Sequence, residues 1–175
     1  MTAPGATNGD DTGPLRRHAP ASAGREGSPL EEIAARRDVM SVCTNASGEE
    51  LGRIVDALAS SVEVTDLRPI ESGLCMLRGR MGGDGRAFNL GEATVTRAVV
   101  ALPDGRTGFA YQLGRDRAKA RAAAVIDALW QGHERDQVER ALAPIRVRLA
   151  EAAALVARRT AATRVDFFTM VRGED

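Results

Sequence analysis

Three stretches of the chain combine residue types that can do chemistry. Arg80-Met81-Gly82-Gly83-Asp84-Gly85-Arg86 sets three glycines between arginines. Backbone N–H groups in such a loop can close on a phosphate, and arginine adds bidentate contacts. The run lacks the third glycine of a dinucleotide fingerprint and the Lys-Ser/Thr of a P-loop. A glycine-rich hairpin turn therefore stands beside the phosphate reading. Gly114-Arg115-Asp116 falls between a strand pattern and a helix pattern. A helix N-terminus attracts anions, yet Asp116 also fits as a simple cap that favours the helix dipole. Near the C-terminus, Phe167, Phe168, Met170 and Val171 crowd four large apolar residues into five positions, next to Arg172. Such a segment closes the chain's own core or docks on a partner.

No catalytic constellation stands out. The two histidines, His18 and His133, sit in no triad-like context, and His133 follows a helix end at Gly132. Glu31-Glu32 and Glu49-Glu50 lie in first helical turns, where dipole compensation explains them. Lys119 is the single lysine in an arginine-rich helix and reads as a surface residue. Cys43 and Cys75 have apolar neighbours and read as buried thiols of a reducing cytosol. Two cysteines and two histidines without ligand spacing predict no metal site.

The elements that must position these residues follow from periodicity. Residues 1–28 are rich in Ala, Gly, Pro, Thr and Asp and read as a disordered tail without the apolar core of a signal peptide. Residues 29–175 read as one domain. Ser28-Pro29 with Glu31-Glu32 opens a helix; its stripe reads Leu30, Ile33, Ala34, Arg37, Val39 and Met40. Ser47-x-x-Glu50 is a capping box for a second helix carrying Leu51, Ile54, Val55 and Leu58. Together they predict a helical hairpin. The period then changes. Val62 to Ile70 suggests a strand, Glu71-Ser72-Gly73 a turn, and Leu74 to Arg80 a second strand. Asn89 to Leu102 holds a third, rich in β-branched residues. Asp104-Gly105 signals a hairpin, and Thr107 to Leu113 is a fourth strand. Short connections imply an antiparallel meander. A helix from about Arg115 to Gln131 presents Ala118, Ala122, Val125, Ile126 and Leu129 on one face. The last helical region, Glu134 to Thr160, has a stripe of Ile145, Leu149, Ala152 and Val156, and Pro144 should kink or restart it. The fold class is α+β: helical hairpin, four-stranded antiparallel meander sheet, then C-terminal helices.

The 24 basic residues equal the 24 acidic ones, so nothing favours a general nucleic-acid binder. With aromatics at 3%, a base-stacking platform is also disfavoured. No stretch approaches the ~20 apolar residues of a membrane span. The balance is nevertheless uneven. Residues 29–77 hold 4 basic and 9 acidic groups, whereas 78–121 hold 9 and 4, and 140–172 hold 7 and 2. An acidic helical hairpin thus precedes two arginine-rich segments, which can present a local positive surface.

Those segments carry a resemblance. Arg80-Met81-Gly82-Gly83, Gly85, Phe88, Gly91 to Arg97, Asp104-Gly105, Gly108, Tyr111 and Gly114-Arg115-Asp116 resemble the PhnG family, and Arg164–Gly173 is similar to its C-terminal signature. Together they cover roughly Asp38 to Arg172. The resemblance implies a cytoplasmic subunit of the carbon–phosphorus lyase machinery, working with the PhnH, PhnI, PhnJ and PhnL subunits. That assembly displaces adenine from ATP with a phosphonate to give a ribose 1-phosphonate 5-triphosphate. It implies a transferase subunit without cofactor of its own, ATP being the substrate of the complex. The main chemistry is attributed to PhnI and the radical iron–sulfur step to PhnJ, which leaves this subunit accessory and architectural. The alternative is a direct contribution of arginines to the triphosphate or phosphonate site. On that footing Arg80, Gly82, Gly83, Arg97 and Arg115 are anion-binding candidates. Phe167, Phe168, Met170 and Arg172 are interface candidates. The family commonly carries His-Ala-Glu after the Gly-Arg-Asp motif, where this chain has Lys119-Ala120-Arg121.

Overall fold

The computed structural model describes residues 28–82 and 84–163. The chain opens with α1 (Pro29–Asn45) and α2 (Gly48–Leu58), the expected helical hairpin. Both start at complete capping boxes, in which Ser28 pairs with Glu31 and Ser47 with Glu50. Each box satisfies two backbone N–H donors that the helix start leaves open. The buried residues of α1 are Val39, Val42 and Cys43, whereas Leu30 and Ile33 are exposed. The expected stripe fails in the first turns because ion pairs anchor them: Glu32 with Arg135 and Arg36 with Asp127.

Four strands form one antiparallel sheet: β1 (Thr65–Asp66), β2 (Glu71–Arg80), β3 (Ala87–Ala101) and β4 (Thr107–Leu113). The long β3 is its spine. Strand β4 pairs along one side, from Thr107 opposite Ala101 to Leu113 opposite Val95. The other side is shared by β1 and β2. The turn read at Glu71-Ser72-Gly73 is not a turn. Glu71 pairs with Arg97, Ser72 with Thr96 and Gly73 with Val95, so the chain runs on in the direction of β1. The break lies at residues 67–70, where Pro69 has no N–H for the ladder.

Past Gly73 and Val95, β2 and β3 leave β4 behind and continue as a two-stranded ribbon to a turn at Met81–Gly85. A bulge between Leu77 and Arg78 interrupts the register, with Gly91 at φ +147° beside it. There a residue with a side chain would be strained. Cys75 lies on this ribbon and is exposed, which corrects the buried-thiol expectation; Cys43 is buried as expected.

Helix α3 (Arg117–Trp130) lies across β3 and β4, and α1, α2 and α4 (Arg135–Ala162) pack around it. Every residue from Ala122 to Trp130 is buried, while Ala118 is exposed. The expected one-faced helix is therefore a core helix, covered on all sides as an all-round apolar pattern requires. Its alanines let the sheet come close: a Cβ on Gly108 would overlap the Ala124 carbonyl oxygen. Trp130 closes the core. Its indole N–H donates to Glu139 at 2.7 Å, and the Arg135 guanidinium stacks 3.7 Å over its ring.

Helix α4 runs through Pro144 as one 28-residue helix without restarting there. Val138, Leu142 and Ile145 are buried. From Ala150 onward every described residue is exposed, so Ala152 and Val156 are not part of a buried stripe. The second half of α4 has outrun the body it packs on.

Candidate functional site

The candidate anion ligands fall at separate places along β3: Arg80 at its outer end, Arg97 and Arg115 toward its middle. Arg80 is at the ribbon tip, where its Nη1 donates to the Gly85 carbonyl at 3.2 Å. The Gly85 N–H donates to the Met81 carbonyl at 3.0 Å, and Gly82 takes φ +63° to make the turn. The glycines described here thus serve a hairpin; Gly83 lies outside the described residues. Arg97 stands on the open face of the sheet, opposite Tyr111, and donates to Glu71 at 3.0 Å. That hydrogen bond holds its guanidinium above its ordinary value. Arg80 pairs with Ala87, ten positions along β3 from Arg97, or about 33 Å of strand. The chain does not bring Arg80 to Arg97.

Arg115 is exposed at the β4–α3 junction, between Gly114 at φ +91° and the N-cap Asp116. Asp116 accepts the Lys119 N–H at 2.8 Å. Gly114 donates its N–H to Thr94 at 2.9 Å and accepts from the Thr96 hydroxyl at 2.7 Å. Capping and sheet closure account for this junction. Lys119 and Arg121 fasten elements together. Lys119 Nζ donates to the Thr44 carbonyl at 2.8 Å, tying α3 to the end of α1. Arg121 donates to Asp66 at 2.9 Å and to the Val64 carbonyl at 3.2 Å, tying α3 to β1. Phe167, Phe168, Met170 and Arg172 lie outside the described residues.

Two arrangements escaped the sequence reading. The first is a groove of about 540 Å³ between α1 and β4, lined by Ile33, Arg36, Arg37, Met40, Phe109 and Tyr111. Beside it Arg36 grips Asp127 with a fork of 2.7 and 2.6 Å, and Asp127 also accepts the Phe109 N–H at 2.9 Å. The Asp127 side chain is 2% exposed. Arg36 and Asp127 lie 91 residues apart, so no local spacing could announce the pair. The second is the hub at Arg106. It donates to Asp104 at 2.6 Å, to Glu134 at 2.6 and 3.1 Å, and to the Leu129 carbonyl at 3.2 Å. The hub locks the β3–β4 turn to the end of α3, and its hydrogen bonds hold the Glu134 carboxyl below its ordinary value. Both arrangements fasten elements together. Among the described residues no cluster of three His, Cys, Asp or Glu side chains can hold a metal ion. None of the described helices is long and apolar enough to cross a membrane.

What the molecule does present is surface. One side of the sheet lies against α3, and the other carries Phe109, Tyr111 and Leu113 in the open, 49%, 66% and 68% exposed. This is an α+β protein whose ion pairs brace its own frame while a long apolar sheet face looks outward. Residues 34–173 match the family described as phosphonate metabolism protein PhnG. Over 144 residues the chain is 48% identical to the alpha-D-ribose 1-methylphosphonate 5-triphosphate synthase subunit PhnG of Rhizobium meliloti (strain 1021), covering 82% of this chain and 92% of that relative. The chain belongs to the PhnG family.

Proposed function

We propose that this protein is an accessory, architectural subunit of a synthase that displaces adenine from ATP with a phosphonate, giving ribose 1-phosphonate 5-triphosphate. The synthase subunit from Rhizobium meliloti, 48% identical, supports the assignment. The observation that carries the architectural part is the open sheet face, because an exposed apolar patch of this kind marks a protein–protein contact. In this reading the partners are the PhnH, PhnI, PhnJ and PhnL subunits, in the cytoplasm. The chain binds no cofactor itself, and ATP is the substrate of the complex. Displacement at the anomeric carbon passes through an oxocarbenium-like species beside a highly anionic triphosphate. The chain's share is to hold the surfaces that enclose those charges, with Phe167, Phe168, Met170 and Arg172 as further contacts.

The test is reconstitution. Coexpressed with the other subunits, the chain should copurify, and adenine release from ATP plus methylphosphonate should require it. The chain alone should release none. Steady adenine release by the isolated chain, or failure to copurify, overturns the proposal.

A second reading is favoured by one observation. Arg80 is exposed at the tip of a projecting ribbon and has no carboxylate partner among the described residues. Such an arginine can be delivered into a neighbour's anion site, where its planar fork suits a triphosphate. Arg80→Lys keeps the charge but loses the fork. It should raise KM for ATP while the complex stays assembled; an unchanged KM rejects this role. Arg97 on the open face and Arg115 at the β4–α3 junction remain anion candidates, although Glu71 already neutralises Arg97.

A further inference from the structure

Alternation along β2 fixes which side chains share the open face. Ser72 turns to the core side, where its hydroxyl meets that of buried Thr96 at 2.8 Å. Glu71 turns to the open side with Arg97. Successive side chains alternate, so Cys75 and Leu77 continue the open side outward along the ribbon. Beyond the bulge Phe88 pairs with Gly79 on that side, and Leu90 covers the position a Gly79 side chain would take. The open face is therefore one strip. It begins at Phe109, Tyr111 and Leu113 on the body and ends at Leu77, Phe88 and Leu90 on the ribbon. These six residues are 41–68% exposed. At about 200 Å² for a large side chain they show on the order of 700 Å². That exceeds the few hundred Å² typical of a monomer's patch and approaches the ~800 Å² per partner of a stable interface.

The reverse side of the ribbon differs. Leu74 and Met76 are 66% and 50% exposed there, followed outward by Arg78 and Arg80. A two-stranded ribbon with both faces in water is marginal by itself. Two copies of this chain stacked sheet on sheet would cover the strip and leave Leu74 and Met76 bare. A cleft covers both sides.

We infer that the strip and ribbon are clasped in the cleft of another synthase subunit. One wall of that cleft is apolar and faces the strip; the other meets the reverse side and carries carboxylates opposite Arg78. The inference rests on the subunit reading above and names the surface through which it operates.

Cys75 supplies the test, because it lies mid-strip and is exposed. The other thiol, Cys43, is 0% exposed, and burial pushes it up to about 12, so it stays unreactive at neutral pH. A maleimide should label the isolated native chain once, at Cys75. In the copurified complex, labelling should slow by about tenfold or more, as for a group that reacts only on local opening. A complex in which Cys75 labels at the free rate overturns this inference and leaves the subunit reading standing. Failure to join any complex overturns both. A dimer of the isolated chain with Cys75 already protected assigns the face to a second copy and overturns the cleft. Leu113→Arg should abolish copurification while the far-ultraviolet circular dichroism stays native; full copurification of that folded variant also overturns the inference.

Discussion

Strands β2 and β3 pass through two environments. At the root, Thr96, Ala98 and Val100 are buried under α3. Farther out, the same strands carry Leu74, Met76 and Leu90 in the open. Both halves have ladder hydrogen bonds and apolar side chains. What differs is a second layer: α3 and β4 reach only as far as Val95 and its partners. Burial is thus set by what lies across the sheet, not by the strand's own composition. The root is a fold, and the ribbon is a surface that the fold holds out.

The largest expected effect belongs to the root. Asp127 is buried and accepts three hydrogen bonds, two from Arg36 and one from the Phe109 N–H. Asp127→Ala strands the Phe109 donor and frees Arg36. Breaking such a pair costs about 3–5 kcal/mol, and because the Arg36 side chain is 37% exposed the lower end applies. Urea denaturation of the isolated chain should show it as a fall in midpoint. An unchanged midpoint would mean that the root is held by apolar contact alone.

Two glycines give the comparison its clearest pair. A Cβ on Gly108 would meet the backbone of Ala124 and Ala128. Backbone cannot swing aside, so Gly108→Ala should cost about 1–3 kcal/mol as overpacking. Gly73 stands at the start of the ribbon with nothing within 4 Å of an added Cβ. Gly73→Ala should be neutral or stabilise by up to about 1 kcal/mol through reduced backbone freedom. Equal effects at the two sites would erase the distinction between root and ribbon.

What could be read in the sequence follows the same division. Local signals were legible. The Ser28 cap, the box at Ser47–Glu50 and the Asp104-Gly105 hairpin involve neighbours in the chain, and they stand where expected. Periodicity marks Ala118, Ala122, Val125, Ile126 and Leu129 as one face of α3, and it does not show that Asp127 is buried too, because its partner Arg36 is far away in sequence. Cys75 is expected to be buried from its apolar neighbours, and Val156 falls on a helical stripe, yet both are exposed, because pattern marks an apolar face without saying whether anything covers it. Likewise, three arginines close to glycine motifs suggested one site. Only the register reveals that Arg80 and Arg97 are ten β3 positions apart.

The hub that closes the root titrates. Arg106 holds Glu134 below its ordinary 4.5, chiefly through their hydrogen bonds. A carboxyl lowered in the folded state stabilises fully above its unfolded value and loses that contribution as pH falls through the folded one. Stability of the native chain should therefore decline below about pH 4.5, and Glu134→Gln should flatten that part of the decline. Chemical denaturation between pH 3 and 6 reads the difference. A variant whose acid limb matches the parent's would place the loss in other carboxylates.

The smallest effect is expected where the two regions meet. Arg97 and Glu71 pair across the ladder at 3.0 Å, with both side chains about half exposed. An exposed pair contributes little and weakens with salt. A double-mutant cycle with Arg97→Ala and Glu71→Ala in the isolated chain should return a small favourable coupling that shrinks as salt is added. Exchanging the charges, Arg97→Glu with Glu71→Arg, should restore most of it, because water screens either order alike. A partner surface is not so indifferent. If the open face is clasped, the exchanged pair meets fixed neighbours with the wrong polarity, and like charges in contact are strongly disfavoured there. The exchanged chain should then be as stable as the parent alone and assemble more weakly. Weakening of both in parallel would make the pair a brace of the root, and full assembly would leave the face at Arg97 uncovered.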